Sequence, residues 1–184
     1  VTSRPHALLP TVRSRCQTLK FAALTAQAVE EFLIREKKTA PPDARLAAGL
    51  SQGSLRLALE FLDPRSAELR EEAMDFLDAL CSRHLEKGLL MAQAWSQSSA
   101  VQCRRRLSWV AMLLRYLRFS EGSSGLEGGD PLVARLEILR KTIPPRFFET
   151  AMVKISTAFD LLEANVSPEL VHSALAAALF RPGV

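Results

Sequence analysis

The sequence predicts an all-α protein with a short non-helical start, and two observations carry that prediction. From Thr25 onward, apolar residues recur every three or four positions, which is the period of a helix with one buried face. Prolines stand between these periodic stretches, where they end one helix and open the next. The 184 residues are 48% hydrophobic and 24% charged, a composition typical of folded globular proteins.

Residues 1–21 differ from the rest of the chain. They predict one turn of helix or loop and then a short strand at 17–21, where Leu19 and Phe21 alternate with polar neighbours. A single strand has no ladder partner, so we expect this stretch to be the remnant of a larger domain. Because the sequence opens on Val1 and not on Met, we also expect it to begin inside a longer protein.

Residues 22–64 predict three short helices. Thr25 is placed to cap the first helix, which ends before Pro41, and the second covers about 43–50. Ser54 is placed to cap the third, whose apolar stripe consists of Leu55, Ala58, Leu59 and Leu62. A unit this small is marginally stable alone, so we expect it to pack on something else.

Residues 65–184 predict longer helices. Between about 101 and 119 the apolar residues nearly encircle the helix axis, which indicates a buried helix. The segment 120–130 holds four of the eight glycines and predicts a flexible surface loop. Further helices begin at the prolines that follow it.

Several chemistries are excluded. Cys81 and His84 are the only pair with metal-ligand spacing, whereas zinc needs three or four ligands, so we expect no metal site. Gly53 and Ser54 lack the Lys-Ser/Thr of a phosphate-binding loop. No apolar run approaches the roughly 18 residues of a membrane helix, so we expect no membrane partner. Three cysteines in all indicate a reducing compartment. An enzyme acting alone is not expected.

Arginines concentrate on the predicted buried helix. Three consecutive ones at 104–106 fan over about 200° and form no single patch, whereas Arg115 and Arg118 each fall within about 40° of Arg104. This strip is either a solvated edge or a surface that an acidic partner or a neighbouring helix approaches. The net charge of +4 fits only weak attraction to polyanions.

The segment 8–16 reads Leu-Leu-Pro-Thr-Val-Arg-Ser-Arg-Cys. It resembles the stretch around the Ser-Arg-Cys motif of clamp-loader subunits, which belong to the AAA+ ATPase superfamily. Thr2, upstream, looks like the end of the sensor 1 strand of that family. The run Gly-Ser-Leu-Arg-Leu-Ala-Leu at 53–59 is similar to the helix start of its lid domain, with Arg56 at the sensor 2 position. The helical remainder resembles the collar, and the tail looks most like subunits of the delta-prime type in the bacterial DNA polymerase III clamp loader.

The resemblance implies that Arg15, flanked by the motif residues Ser14 and Cys16, is an arginine finger that acts on a neighbour's ATP. Arginine suits this role because its planar fork stays protonated and binds phosphate through two hydrogen bonds. Arg13 lies two positions earlier and would point about 200° away on a helical turn. The residues alone do not choose between the two arginines; the family motif selects Arg15.

The resemblance also implies the domain organisation: a remnant of the AAA+ core at 1–21, a three-helix lid at 22–64 and a collar at 65–184. Arg56 would contact nucleotide in such a lid, or it pairs with Glu60 one helical turn on. We expect no cofactor in this chain, with ATP and Mg²⁺ held by a neighbouring subunit. The implied partners are gamma/tau-type and delta-type subunits through the collar, and the sliding clamp and primed DNA through the assembled complex, in the cytoplasm.

Two alternatives stay open. The chain is the C-terminal part of a gamma/tau-type ATPase, whose Walker motifs would lie upstream. Or it is a helical adaptor domain with an accidental motif match, in which residues 1–21 pack as an integral part of the fold.

Overall fold

A computed structural model describes residues 8–82, 84–119 and 131–180, and α-helices dominate them. The ten helices in this part of the chain are α1 Pro10–Arg13, α2 Ala26–Lys37, α3 Pro41–Ser51, α4 Leu55–Leu62, α5 Ala67–Cys81, α6 Leu85–Ser96, α7 Ala100–Phe119, α8 Pro131–Thr142, α9 Pro145–Glu163 and α10 Pro168–Leu179. A 3₁₀ turn, Pro64–Ser66, joins α4 to α5. The all-α prediction is therefore confirmed.

The short strand predicted at 17–21 is wrong. These residues are irregular and exposed, and the described part of the chain contains no strand for them to pair with. Leu19 and Phe21 are 71% and 84% exposed. Their alternation with polar residues had suggested a half-buried strand, but a strand needs a ladder partner that local sequence does not supply.

Two predicted caps are confirmed. The Thr25 hydroxyl accepts a hydrogen bond from the backbone N–H of Ala28 at 3.1 Å, and the Ser54 hydroxyl accepts one from Leu57 at 3.4 Å. Each cap satisfies a donor that the first helical turn leaves unpaired. These two side chains therefore fix where α2 and α4 begin.

Gly53 lets the chain turn sharply between α3 and α4. Its φ is +81°, in the left-handed region, and a Cβ built on it would lie 2.2 Å from the Leu24 carbonyl oxygen. The Leu24 N–H donates to the Gly53 carbonyl at 3.1 Å. Only glycine fits this close approach, which joins the segment before α2 to the α3–α4 turn.

Helix α7 lies at the centre of the fold, as its nearly all-round apolar pattern predicts. It contacts α3, α5, α8 and α9, and ten of its residues are buried. One cluster of buried apolar side chains runs from Val29 in α2 to Leu179 in α10. Residues of both 22–64 and 65–184 contribute to this core, so the small three-helix unit is covered by the longer helices.

Helices α6 and α10 pack on each other at one side of α5 and α9. Gly88 of α6 lies so close to the Phe180 ring that a Cβ there would be 2.0 Å from its Cζ atom. Phe76 of α5 stacks on Trp95 of α6 with ring centroids 4.9 Å apart. Aromatic packing thus joins this outer helix pair to the centre.

Two predictions fall outside the described residues: the sensor 1-like role of Thr2 and the loop at 120–130. The division at residues 21 and 64 stays a prediction. None of the helices described is both long enough and apolar enough to span a bilayer.

Candidate functional site

The predicted motif lies on a one-turn helix and the turn that follows it. Pro10 occupies the first turn of α1, where its missing N–H costs no hydrogen bond. The Ser14 hydroxyl donates to the Thr11 carbonyl at 3.1 Å, and the Arg15 N–H donates to the Val12 carbonyl at 3.2 Å. Backbone and hydroxyl bonds therefore fix the shape of the motif locally.

All side chains of this motif are exposed. Arg13, Ser14, Arg15 and Cys16 all face solvent, and Cys16 is a free thiol. The apolar residues around them are also uncovered, with Leu9 68% exposed. A guanidinium in this position is accessible to a ligand held by another molecule. Exposure does not choose between Arg13 and Arg15.

Arg56 is paired with Glu60, the bond that the helical spacing predicts. Its Nη1 donates to Glu60 Oε2 at 2.9 Å, while the Arg56 side chain stays 73% exposed. The pair lies at the start and middle of α4. An exposed pair one turn apart is worth only a few tenths of a kcal/mol, so an anionic ligand competes for Arg56 at small cost.

Sequence reasoning missed the second partner of Glu60. Its other carboxylate oxygen accepts from Arg105 Nε of α7 at 2.8 Å. Arg105 also donates from Nη2 to the hydroxyl of Ser66 at 3.1 Å, and Ser66 is completely buried. Arg105 and Glu60 are 45 positions apart, so no local sequence pattern predicts this contact.

The end of α4 is held to the longer helices by further contacts. Arg70 of α5 donates to the Phe61 carbonyl at 2.7 Å, and its guanidinium lies 4.8 Å from the Phe61 ring centroid. The same ring lies 6.0 Å from that of Trp109 in α7. Cation–π and ring contacts of this kind stabilise a fixed orientation. The helix that carries Arg56 therefore has a defined position against α5 and α7.

Within the run of arginines at 104–106, Arg105 and Arg106 bind different partners. Arg106 donates to Glu72 of α5 at 2.5 Å and to the Ser98 hydroxyl at 2.9 Å. Together with the Arg105 contacts, these bonds confirm that the run forms no single patch. Of the predicted strip, Arg115 is exposed and Arg118 is half-buried.

Burial disfavours the thiolate form of the two cysteines in the helical core. Burial raises the pKa of Cys81 to about 12. Burial likewise raises the pKa of Cys103, whose sulfur lies 3.2 Å from the Trp95 carbonyl as a hydrogen-bond donor. Among the residues that the structure describes, no group of three or more His, Cys, Asp or Glu side chains is arranged to hold a metal ion.

Comparison with known proteins adds one distant relative. The chain is 28% identical over 116 residues to the DNA polymerase III subunit delta' of Bacillus subtilis strain 168. The alignment covers 63% of this chain and 35% of that protein. The chain thus spans about a third of the length of its relative. No family model matches the chain.

Proposed function

We propose that the chain is part of a delta-prime-type subunit of a clamp loader, a non-motor subunit that presents Arg15 to ATP held by its neighbour. The similarity to a DNA polymerase III delta' subunit carries this proposal. The exposed Arg15 in the turn that follows α1 supports the finger role, because a guanidinium that acts on another subunit's ligand must be accessible.

The chemistry of phosphoryl transfer explains why one guanidinium matters. Charge develops on the γ-phosphate oxygens as the phosphoryl group leaves, and a positioned arginine stabilises that charge. Arginine fingers contribute on the order of 10³ to 10⁵ in rate. Ser14 and Cys16 position the arginine, because the Ser14 hydroxyl and the Cys16 N–H, which donates to the Arg13 carbonyl at 3.3 Å, close the turn around it.

The chain itself needs no bound nucleotide in this proposal. ATP and Mg²⁺ belong to the adjacent gamma/tau-type subunit, and Arg56, paired with Glu60, keeps at most an auxiliary contact to nucleotide. Residues 1–21 belong to the AAA+ core, 22–64 form the lid and 65–184 form the collar. The collar joins gamma/tau-type and delta-type subunits, and the assembled complex loads the sliding clamp on primed DNA in the cytoplasm.

The test uses the full-length protein in a reconstituted loader. Arg15→Ala is expected to leave assembly intact and to abolish most of the DNA-stimulated ATP turnover and clamp loading. Arg13→Ala is the matched control, since it removes another exposed arginine from the same segment. Unchanged turnover in the Arg15 variant, or an equal loss in both variants, would remove Arg15 from the mechanism.

A further inference from the structure

Two arginines of the central helix α7 have no side-chain partner among the described residues. Arg115 is exposed and Arg104 is half-buried, and neither guanidinium forms an ion pair or a hydrogen bond within the part of the chain that the structure describes. We propose that these two arginines are the contact points of a docking surface for an acidic α-helix of another protein. Neither arginine belongs to the motif at 8–16, so this surface and the finger role of Arg15 are tested separately.

Other arginines of the same helix are paired with carboxylates of neighbouring helices. Arg105 donates to Glu60 of α4 at 2.8 Å, and Arg106 donates to Glu72 of α5. The described chain offers no such carboxylate to Arg104 or Arg115. The charges of these two side chains are therefore available to an anionic group of another molecule.

The two arginines share one side of a continuous helix. They are three helical turns apart in α7, which corresponds to about 16 Å along the axis and an angular difference of about 20°. The side chains between them on this side are small: Ser108 is half-buried and Ala111 is 6% exposed. No long side chain of α7 therefore stands between the two guanidinium groups. Two carboxylates three turns apart on one face of a partner helix match their spacing.

Charge spacing favours an acidic helix over a nucleic acid. Double-stranded DNA carries one negative charge about every 1.7 Å along its axis, so two cations about 16 Å apart would neutralise few of its phosphates. An α-helix with two acidic residues places one carboxylate on each arginine and leaves no anion unmatched. Guanidinium and carboxylate groups also bind each other through two parallel hydrogen bonds.

The two ends of α7 indicate the rest of the partner's pattern. Val101 and Phe119 are 70% and 69% exposed, and both lie about 60° around the helix from Arg104. Apolar residues near the ends of the partner helix would cover these side chains. The surface therefore fits an amphipathic helix with carboxylates in its middle turns and apolar residues at its ends.

The experiment titrates the full-length protein at low salt with two labelled helical peptides of about 20 residues, followed by fluorescence anisotropy. One peptide carries two glutamates three turns apart and leucines at both ends, and the other has the same composition with the glutamates one turn apart. We expect the first peptide to bind about tenfold more tightly, because it alone reaches both arginines, and its binding to weaken as salt is added. Equal affinity of the two peptides, or no binding of either, overturns the proposal.

Charge reversal places the binding on α7. Arg104→Glu combined with Arg115→Glu is expected to weaken binding of the first peptide at least about tenfold and to create binding of a peptide with lysines in place of its glutamates. Arg146→Glu combined with Lys154→Glu makes the same change in net charge at exposed positions of α9 and is the matched control. Equal weakening in the control shows only a general attraction to a basic protein and overturns the proposal.

Two further measurements cover folding and nucleic acid. Arg115→Gln, a neutral change at an exposed position, is expected to weaken binding about threefold even if the double variant fails to fold. An unchanged affinity in a folded Arg115→Gln variant, checked by circular dichroism, overturns the proposal. A short thymidine oligonucleotide that binds more tightly than the first peptide, and that Arg115→Gln weakens, assigns the surface to nucleic acid and overturns it too.

Discussion

Glu60 of α4 and Arg105 of α7 lie 2.8 Å apart, Oε1 to Nε, while the second oxygen of Glu60 pairs with Arg56. One carboxylate therefore joins the residue at the sensor 2-like position to the central helix of the fold. The Glu60 side chain is only 18% exposed, so most of its surface is covered by the protein.

Glu60→Gln is expected to destabilise the protein by about 1 to 2 kcal/mol, because it leaves the Arg105 side chain without its charged acceptor. Arg56→Gln removes the exposed partner of the same carboxylate and is expected to cost less than about 0.5 kcal/mol. Urea unfolding measures both changes. A double-mutant cycle of Glu60→Gln with Arg105→Gln should give a coupling energy above about 0.5 kcal/mol. A coupling near zero would show that the contact is not energetically significant.

Replacing Gly53 and Gly49 by alanine should change the stability of the protein in opposite directions. Gly53→Ala forces a Cβ to within 2.2 Å of a backbone oxygen at φ +81°, so a loss of about 1 to 3 kcal/mol is expected. Gly49→Ala lies inside α3 and meets only the edge of Tyr116 at 4.0 Å, so a gain of up to about 1 kcal/mol is expected from helix propensity. Thermal and urea unfolding of the two variants make the comparison. A stabilising Gly53→Ala would contradict the turn geometry.

Because His172 is buried, we expect the folded protein to lose stability in mild acid. Its Nδ1 lies 2.8 Å from the Pro168 carbonyl and is therefore the protonated nitrogen, while Nε2 is buried with no partner among the described residues. Burial lowers the pKa of His172, and the positive charge of Arg106 lowers that pKa further. The unfolded chain therefore binds a proton before the folded one does. Stability falls as the pH drops below about 6.5.

The comparison for this effect is His172→Phe, measured by urea unfolding at about pH 7.5 and about pH 5.5. The wild type should lose more stability across this interval than the variant. All other histidines and carboxylates are common to the two proteins, so the difference reports on His172 alone. An equal pH dependence in both proteins would exclude this residue as the cause.

Arg135 of α8 forms ion pairs with three carboxylates on one face of α5. It donates to Glu71, Asp75 and Asp78. Its hydrogen bond to Asp78, and after that its bond to Glu71, raise the pKa of Arg135. Arg135→Gln leaves three like charges together and is expected to cost about 1 to 2 kcal/mol at low salt, with part of the loss recovered at high salt. Arg45→Gln, which breaks the exposed pair with Glu30, should change stability by less than about 0.5 kcal/mol. A loss in the Arg135 variant that does not respond to salt would argue against charge repulsion.

Local chemistry explains most of what could be predicted of the fold. Thr25 and Ser54 cap helices where their sequence context indicates, because a capping hydroxyl acts on residues three positions away. The all-round apolar pattern of α7 predicted its central place. The prediction of a strand at 17–21 was wrong, because a strand is stabilised by pairing with another strand and the local sequence does not show whether one is present.

In the candidate site, too, local contacts could be predicted from the sequence and long-range contacts could not. The Arg56–Glu60 pair was predictable from one helical turn, whereas Arg105 reaches Glu60 from 45 positions away. The three acids that meet Arg135 lie 57 to 64 positions from it. Such contacts depend on how helices pack and leave no periodic signal in the sequence. The role of Arg15 depends on a second subunit, so it stays a prediction.

The distance between the Arg15 guanidinium and the γ-phosphate tests the account most directly. A structure of the loader assembled from full-length subunits with a non-hydrolysable ATP analogue gives this distance. We expect a guanidinium nitrogen about 3 Å from a γ-phosphate oxygen of nucleotide bound by the adjacent subunit. An Arg15 side chain turned away from every nucleotide in the ring would contradict the finger.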